Sequence, residues 1–203
     1  MVTDLTETRR LKSNERRAQL LGVAAALFAR SGYDATTMDQ VAIAAGVTKP
    51  LLYQHFSSKH ALYEEIVTTA ATSLLDRLAV AASPDVSPRE KVERGFSVYF
   101  TTLLSDDASY RLLLAESDDE DIARHLSAVE HALIEFVDPL IDADLADDHR
   151  TLLAAVVVGT AKSAASFWLE VEEYDGTRAE AAERLARRCA QLVWGGLRSV
   201  GRD

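Results

Sequence analysis

The chain has 203 residues, a hydrophobic content of 48% and a formal net charge of −10. A chain of this length and apolar content can bury a core, which excludes an intrinsically disordered protein. The single cysteine, Cys189, excludes an internal disulfide and favours a reducing compartment. We find no signal peptide and no segment with the length and lack of charge of a membrane span, so we expect a cytoplasmic protein.

The charge is distributed unevenly along the chain. Residues 1–60 hold 8 Lys and Arg against 5 Asp and Glu, a balance of +3, whereas residues 61–203 hold 14 against 27, a balance of −13. A mildly basic head on an acidic body is typical of a modular nucleic-acid-binding protein, because the body is repelled by the phosphates that the head binds.

Residues 1–12 are polar and predict a flexible arm, which either contacts DNA or stays solvated. Helix 1 is predicted from about Ser13 to Ser31, since apolar residues recur there at helical spacing. Gly32 follows in the usual C-terminal position. The basic residues near the start of the chain are Arg9, Arg10, Lys12, Arg16 and Arg17, and we expect Arg16 and Arg17 to lie on the side of helix 1 that approaches the DNA backbone.

The stretch from Thr37 to Phe56 predicts two short helices joined by a tight turn. Thr37-x-x-Gln40 is a capping box, and Gly46 supplies the backbone freedom that a reversal needs. Thr48 then caps the second helix, whose first turn tolerates Pro50. A helix pair of this shape can place its second helix in the major groove, although the pattern alone fits an ordinary helical hairpin equally well.

The stretch from Ala26 to Leu62 contains a set of residues at characteristic spacing: Phe28, Gly32-Tyr33, Thr36-Thr37, Ala45-Gly46-Val47, Leu52-Tyr53-x-His55-Phe56 and Lys59. Together they resemble the DNA-binding domain of the TetR family of bacterial transcriptional regulators. The resemblance implies an all-α fold of about nine helices. It also implies a three-helix DNA-binding domain over residues 13–60, followed by a larger helical ligand-binding and dimerisation domain over residues 61–203.

The outward side chains of the helix pair are the predicted DNA contacts. We expect phosphates to be held by Thr37, Thr48, Tyr53, His55 and Lys59. We expect Lys49 to donate to guanine edges, and Pro50 and Leu51 to contact thymine methyl groups.

The body is predicted to be helical throughout. Capping boxes at Ser87–Glu90, Ser117–Glu120 and Thr177–Glu180 open three of its helices, and Pro139 is expected to kink or end one of them. The predicted bounds are 57–82, 87–104, 108–116, 117–141, 147–172 and 177–199.

Aromatic residues spread over the body either pack its core or line an apolar pocket for an effector. The candidate lining is Phe96, Tyr99, Phe100, Tyr110, Phe136, Phe167 and Trp168. Polar groups that could orient a ligand are Tyr99, Arg111, Lys162 and Ser166. The segments YRLLLAESD and LVWGGL resemble an actinobacterial TetR subgroup linked to lipid metabolism, which favours an acyl-type effector over a cationic drug.

The middle of the eighth helix is apolar almost all round, which indicates burial against the core and against a second subunit. The resemblance implies a homodimer, and a two-fold dimer reads a palindromic operator. The expected interface residues are Leu153, Val156, Val157, Leu192, Val193 and Leu197.

Catalysis is not expected. The five histidines form no compact metal site, Cys189 lies in an apolar stripe, and no Gly-rich phosphate loop or cofactor motif is present. The resemblance to the TetR family implies a repressor that a small apolar effector releases from its operator. A DNA-bound activator and a ligand sensor without operator binding remain alternatives.

Overall fold

The computed structural model describes the backbone of residues 2–105, 107–141, 145–170 and 175–199. This part of the chain holds α-helices and short 3₁₀ turns, and no strand. The helices are α1 (Val2–Ser31), α2 (Met38–Ala44), α3 (Lys49–His55), α4 (Lys59–Ala81), α5 (Pro88–Leu103), α6 (Ala108–Arg111), α7 (Glu120–Val137), α8 (Asp147–Leu169) and α9 (Arg178–Ser199). The predicted all-α fold with about nine helices is confirmed.

Helix α1 begins at Val2, so the segment predicted as a flexible arm continues the first helix instead. The physical reason lies in the sequence, because neither glycine nor proline precedes Gly22 and most of the segment consists of residues that tolerate a helix. The side chains of Arg9, Arg10 and Lys12 lie outside the described residues. At its other end α1 stops before Gly32, whose φ of 80° places it in the left-handed region.

The helix–turn–helix forms as the sequence predicts. Thr37 and Gln40 complete the capping box at the start of α2, and the turn contains Gly46 at a φ of 64°. Thr48 occupies the N-cap of α3, but its side chain makes no capping hydrogen bond, which corrects the expectation that it would. The buried residues that join α1–α4 include Leu20, Phe28, Val41, Leu52, Phe56, Tyr63 and Val67.

The body packs α4, α5, α7, α8 and α9 around a second core, with α5 lying along α9. The capping boxes predicted at Ser87 and Thr177 are present. The one predicted at Ser117 is wrong: Asp119 caps α7 by accepting hydrogen bonds from Asp121 and Ile122. A carboxylate beside the first turn accepts hydrogen bonds from two backbone N–H groups, and its negative charge is attracted by the positive end of the helix dipole.

Two of the body helices end earlier than predicted. Helix α6 has only four residues before it tightens into a 3₁₀ turn over Leu112–Leu114. Helix α7 ends at Val137, and Pro139 lies in the 3₁₀ turn that follows it. Proline has no N–H and its ring crowds the preceding turn, so the expected ending of α7 near this residue is confirmed.

By length and composition alone, helix α8 is long and apolar enough to cross a membrane. This corrects the expectation that no segment of the chain has the length and lack of charge of a membrane span. Ala154, Val158, Ala161 and Ala165 form its buried face and pack into the core of the body. A core helix of a soluble domain passes the same test, so this composition is weak evidence for a membrane span.

Candidate functional site

The outer face of the head is formed by the first turn of α3 and the residues next to it. Thr48, Lys49 and Pro50 are exposed, and the Tyr53 side chain is 44% exposed. Leu51 and His55 are half-buried, while Leu52 lies on the opposite side of the helix in the core. The structure thus exposes Thr48, Lys49, Pro50 and Tyr53 on and beside the first turns of α3, and Thr37 is exposed at the start of α2.

Lys49 is not a free cation in this structure. Its Nζ lies 2.7 Å from an Oδ1 of Asp39 in the first turn of α2, and both side chains are more than half exposed. The hydrogen bond from the ammonium to this carboxylate holds the pKa of Lys49 above its ordinary value. Analysis of the sequence missed Asp39, because a pair ten residues apart across a turn has no periodic signal.

Arg17 fixes the far end of α3. Its guanidinium binds both carboxylate oxygens of Glu65 on α4, and its Nη1 donates to the backbone carbonyl of His55 at 2.7 Å. The same group stacks over the ring of Phe56, 4.3 Å from the centroid. Arg17 was predicted to approach the DNA backbone, but the structure places it between α1, α3 and α4.

Lys59 is also held within the protein. Its Nζ donates to the carbonyl of Tyr33 at 2.9 Å and lies 4.0 Å from the centre of the Tyr33 ring. This ring packs edge-on against Tyr63, and burial raises the pKa of Tyr63 to about 12. The ammonium has three donors, so phosphate binding by Lys59 stays a prediction.

The body contains a cavity of about 560 Å³. It lies among α5, α7, α8 and α9, with the last turn of α4 at its edge. Its apolar lining includes Leu78, Val92, Phe96, Leu133, Phe136, Val157, Val158 and Trp194. The volume falls in the range of small-molecule sites, about 300–1,000 Å³.

Only some of the predicted pocket residues line the cavity. Phe96, Tyr99 and Phe136 line the cavity. The others are not among its described lining: Phe100 is fully buried in the core, the Tyr110 hydroxyl hydrogen-bonds Ser73, Phe167 is exposed, and Trp168 packs partly buried on the core. Arg111 and Ser166 are likewise not among the lining residues, and Lys162 forms an ion pair with Glu130 at 2.6 Å.

Three polar groups border the cavity. Tyr99 is buried, its hydroxyl makes no hydrogen bond to any described residue, and burial raises its pKa, with a smaller contribution from Glu130. The charged residues in the described lining are Lys91 on α5 and Arg198 in the last turn of α9, and no acidic residue is among them. Neither cation was selected from the sequence, because each is one of many on a helix surface.

Only some of the predicted interface residues are exposed on the surface of the subunit. Val156 and Leu192 are exposed, whereas Val193 is buried within the subunit. Leu153, Val157 and Leu197 line the cavity. Large exposed apolar side chains on α8 and α9 are Leu152, Val156, Phe167 and Leu192.

A helix–turn–helix head with exposed residues on its second helix, joined to a larger helical body, defines the class of helix–turn–helix transcriptional regulators. Residues 20–66 match the family model described as bacterial regulatory proteins, tetR family. The chain is 32% identical over 196 residues to the HTH-type transcriptional activator FasR of Mycolicibacterium smegmatis, an alignment that covers 94% of this chain and 87% of FasR. The chain belongs to the TetR family of bacterial transcriptional regulators.

Two further comparisons agree with this assignment. The HTH-type transcriptional repressor KstR2 of Rhodococcus jostii is 32% identical over 115 residues, covering 57% of this chain and 53% of KstR2. The structure of FadR from Bacillus subtilis in complex with stearoyl-CoA superposes with a TM-score of 0.74 at 16% identity, covering 88% of this chain and 98% of FadR. At that identity the likeness concerns the fold.

Proposed function

We propose that this protein is a homodimeric, cytoplasmic repressor that binds a palindromic operator and is released when an acyl-type molecule with an anionic end enters the cavity of the body. The observation that carries the proposal is the cavity itself, which is apolar, of ligand size and bordered by cations. The stearoyl-CoA complex of the similarly folded FadR supports this choice of effector.

The lining selects an amphipathic ligand. Its apolar side chains favour a hydrocarbon chain, because each buried CH₂ contributes about 0.8 kcal/mol. Lys91 is half-buried and Arg198 is exposed, so the solvent side of the cavity carries positive charge on a body that is otherwise acidic. An anionic group on the ligand, either a carboxylate or a phosphate, would bind there, and the Tyr99 hydroxyl would donate to a polar atom deeper in the cavity.

Helix α4 links the cavity to the recognition helix. Its last turns supply Leu78 to the cavity and Ala82 follows directly after the helix, while its first turns carry Glu65, which holds Arg17. Arg17 in turn holds the end of α3 through the His55 carbonyl. A ligand that displaces the C-terminal end of α4 would therefore tilt the helix and reposition α3, provided that the ligand binds the displaced arrangement more tightly.

Dimerisation would use the exposed apolar face of α8 and α9. Leu152 and Val156 are one turn apart on α8, and Leu192, 70% exposed, lies on α9. An apolar patch on a folded domain marks an interaction surface. Two recognition helices related by two-fold symmetry would then contact half-sites about 34–36 Å apart, and a tilt of both would destroy that spacing.

A second candidate is activation. It is favoured by the relative that aligns over nearly the whole chain, FasR, which is a transcriptional activator. The KstR2 relative is a repressor, but it aligns over only about half of the chain. Transcription from the operator-containing promoter in a deletion strain separates the two: expression rises if the protein represses and falls if it activates.

The test of the proposal is operator release. Fragments bound by the native protein are selected from genomic DNA, and a labelled operator is then titrated with a long-chain fatty acid, its CoA thioester and its methyl ester. We expect the two anionic ligands to release the operator and the ester to act about tenfold more weakly. The Lys91→Ala variant should lose this preference. Arg89→Ala is the matched control, since Arg89 pairs with Glu93 on the same helix outside the cavity lining. Equal responses to all three ligands would contradict the anionic site.

A further inference from the structure

The ion pair between Lys49 and Asp39 is the feature of the head that the proposed function does not use. It joins the first residue of α3 to the first turn of α2, with its nitrogen and oxygen 2.7 Å apart. Tyr53 lies one turn further along α3 and is also exposed. The pair thus lies beside exposed Tyr53 on the face of α3 that is proposed to contact DNA.

We propose that Asp39 is a specificity-determining residue and that Lys49 and Asp39 together read a single G·C base pair in the major groove. Lys49 would donate to guanine O6 or N7, and Asp39 would accept from cytosine N4, which are the contacts that these side-chain types make. The proposal rests on operator binding.

The separation of the two charged groups fits this role. Within a G·C pair, guanine O6 and cytosine N4 are joined by a hydrogen bond and are therefore about 3 Å apart. The ammonium and carboxylate present a donor and an acceptor at nearly the same separation, 2.7 Å. Each group keeps a bonding position for a base, because the ammonium has three donors and a carboxylate accepts several hydrogen bonds.

A lone lysine would discriminate poorly in the same position. Its ammonium is a compact point charge with rotatable donors, so it donates to guanine O6 or N7, adenine N7 or thymine O4 without preference. The carboxylate changes this, because it requires a donor beside the acceptor and is repelled by a second acceptor. An A·T pair in this orientation places its N6 donor where Lys49 needs an acceptor, and its O4 acceptor where Asp39 needs a donor. The reversed T·A pair keeps an acceptor beside a donor but has a methyl group in place of guanine N7, so a second donation from Lys49 to N7 distinguishes G·C from T·A.

The two side chains can also adjust their positions on DNA at little energetic cost. Both side chains are more than half exposed, and exposed ion pairs contribute little to stability. On non-specific DNA the carboxylate is repelled by phosphates and keeps Lys49 neutralised, which weakens binding to wrong sequences. Asp39 would therefore raise specificity in two ways, by accepting from cytosine at the correct site and by weakening binding to other sequences, and both follow from its negative charge.

The test is selection of bound sites from a random DNA library by the native full-length protein and by Asp39→Ala, Asp39→Asn and Lys49→Ala. The native protein should select one G·C pair per half-site that both Asp39→Ala and Lys49→Ala lose, each reducing the preference at that pair about tenfold. The double variant should lose no more of this preference than either single variant.

Asp39→Asn should bind random DNA more tightly at low salt. Asp34→Asn, an equal charge change in the exposed turn after α1, should leave the selected motif unchanged.

Three results would overturn the proposal. An unaltered motif for Asp39→Ala, in a variant whose melting temperature matches the native one, means that Asp39 reads no base. An equal loss of preference at every position means that Asp39 acts only by general repulsion of phosphates. If the native protein selects no motif at all, operator binding fails, and this proposal fails with it; the first two results leave operator binding intact.

Discussion

Removing the Arg17 guanidinium should loosen the recognition helix without unfolding the body. Three contacts are lost in Arg17→Ala: the two-pronged pair with Glu65, the hydrogen bond to the His55 carbonyl at 2.7 Å, and the stacking on Phe56 at 4.3 Å. The variant should therefore expose the end of α3 to transient opening.

The magnitude follows from the exposure of these groups. The Arg17 and Glu65 side chains are 36% and 32% exposed, so solvent screens the pair and its contribution is about 1 kcal/mol. The bond to the carbonyl contributes about 1 kcal/mol, and the stacking about 0.5–1 kcal/mol. Local opening of the head should thus become easier by about 2–3 kcal/mol, which is roughly a 30- to 150-fold change in the opening equilibrium.

Amide hydrogen exchange followed by mass spectrometry measures this opening in peptides from α3 and the first half of α4. Tryptophan fluorescence would miss it, because Trp168 and Trp194 both lie in the body. Arg16→Ala is the matched control, since Arg16 is exposed and hydrogen-bonds Gln19 within α1. If Arg17→Ala and Arg16→Ala exchange at the same rate in these peptides, the guanidinium does not hold the helix.

Three further predictions concern DNA, the dimer and acid. Tyr53→Phe should weaken binding to all sequences by a similar factor and leave the salt slope unchanged, because a neutral hydroxyl releases no counterion; anisotropy from about 50 to 200 mM salt measures both, and a loss confined to one base would contradict a phosphate contact. Leu192→Asp should shift sedimentation toward the monomer and abolish operator binding, whereas Val80→Asp, an equally exposed change outside α8 and α9, should do neither. Hydrogen bonds from the Ser87 hydroxyl and amide lower the pKa of Glu90. Glu90→Gln should therefore reduce the free energy of unfolding at neutral pH, and the difference from the native protein should disappear as the pH falls through the lowered pKa of Glu90; a difference that persists in acid would contradict this.

The sequence by itself determined the head and the helical plan. The capping box at Thr37, the turn at Gly46 and the proline in the first turn of α3 act within a few residues, so their effect is readable from the chain. The same holds for the cap at Ser87. Expectations failed where a local signal was ambiguous, as at the start of α1, where a polar segment without helix breakers was interpreted as an arm.

Only the tertiary structure decided what the charged and aromatic side chains do. Arg17 meets Glu65 and the His55 carbonyl across intervals of 48 and 38 residues, and Lys59 reaches the Tyr33 carbonyl. No periodicity encodes such pairs, because helix spacing tells which face a residue occupies but not which helix lies opposite.

The same reason explains the cavity and the interface. Phe96 and Phe100 are one turn apart on α5, yet only Phe96 lines the cavity, while Phe100 is enclosed by the core. On α8, Val156 is exposed and Val157 lines the cavity, although the helix is apolar on both sides. The hydrophobic effect is non-directional, so composition predicts only that these residues are buried. The packing of the neighbouring helices decides whether the core, a ligand or a partner subunit covers them.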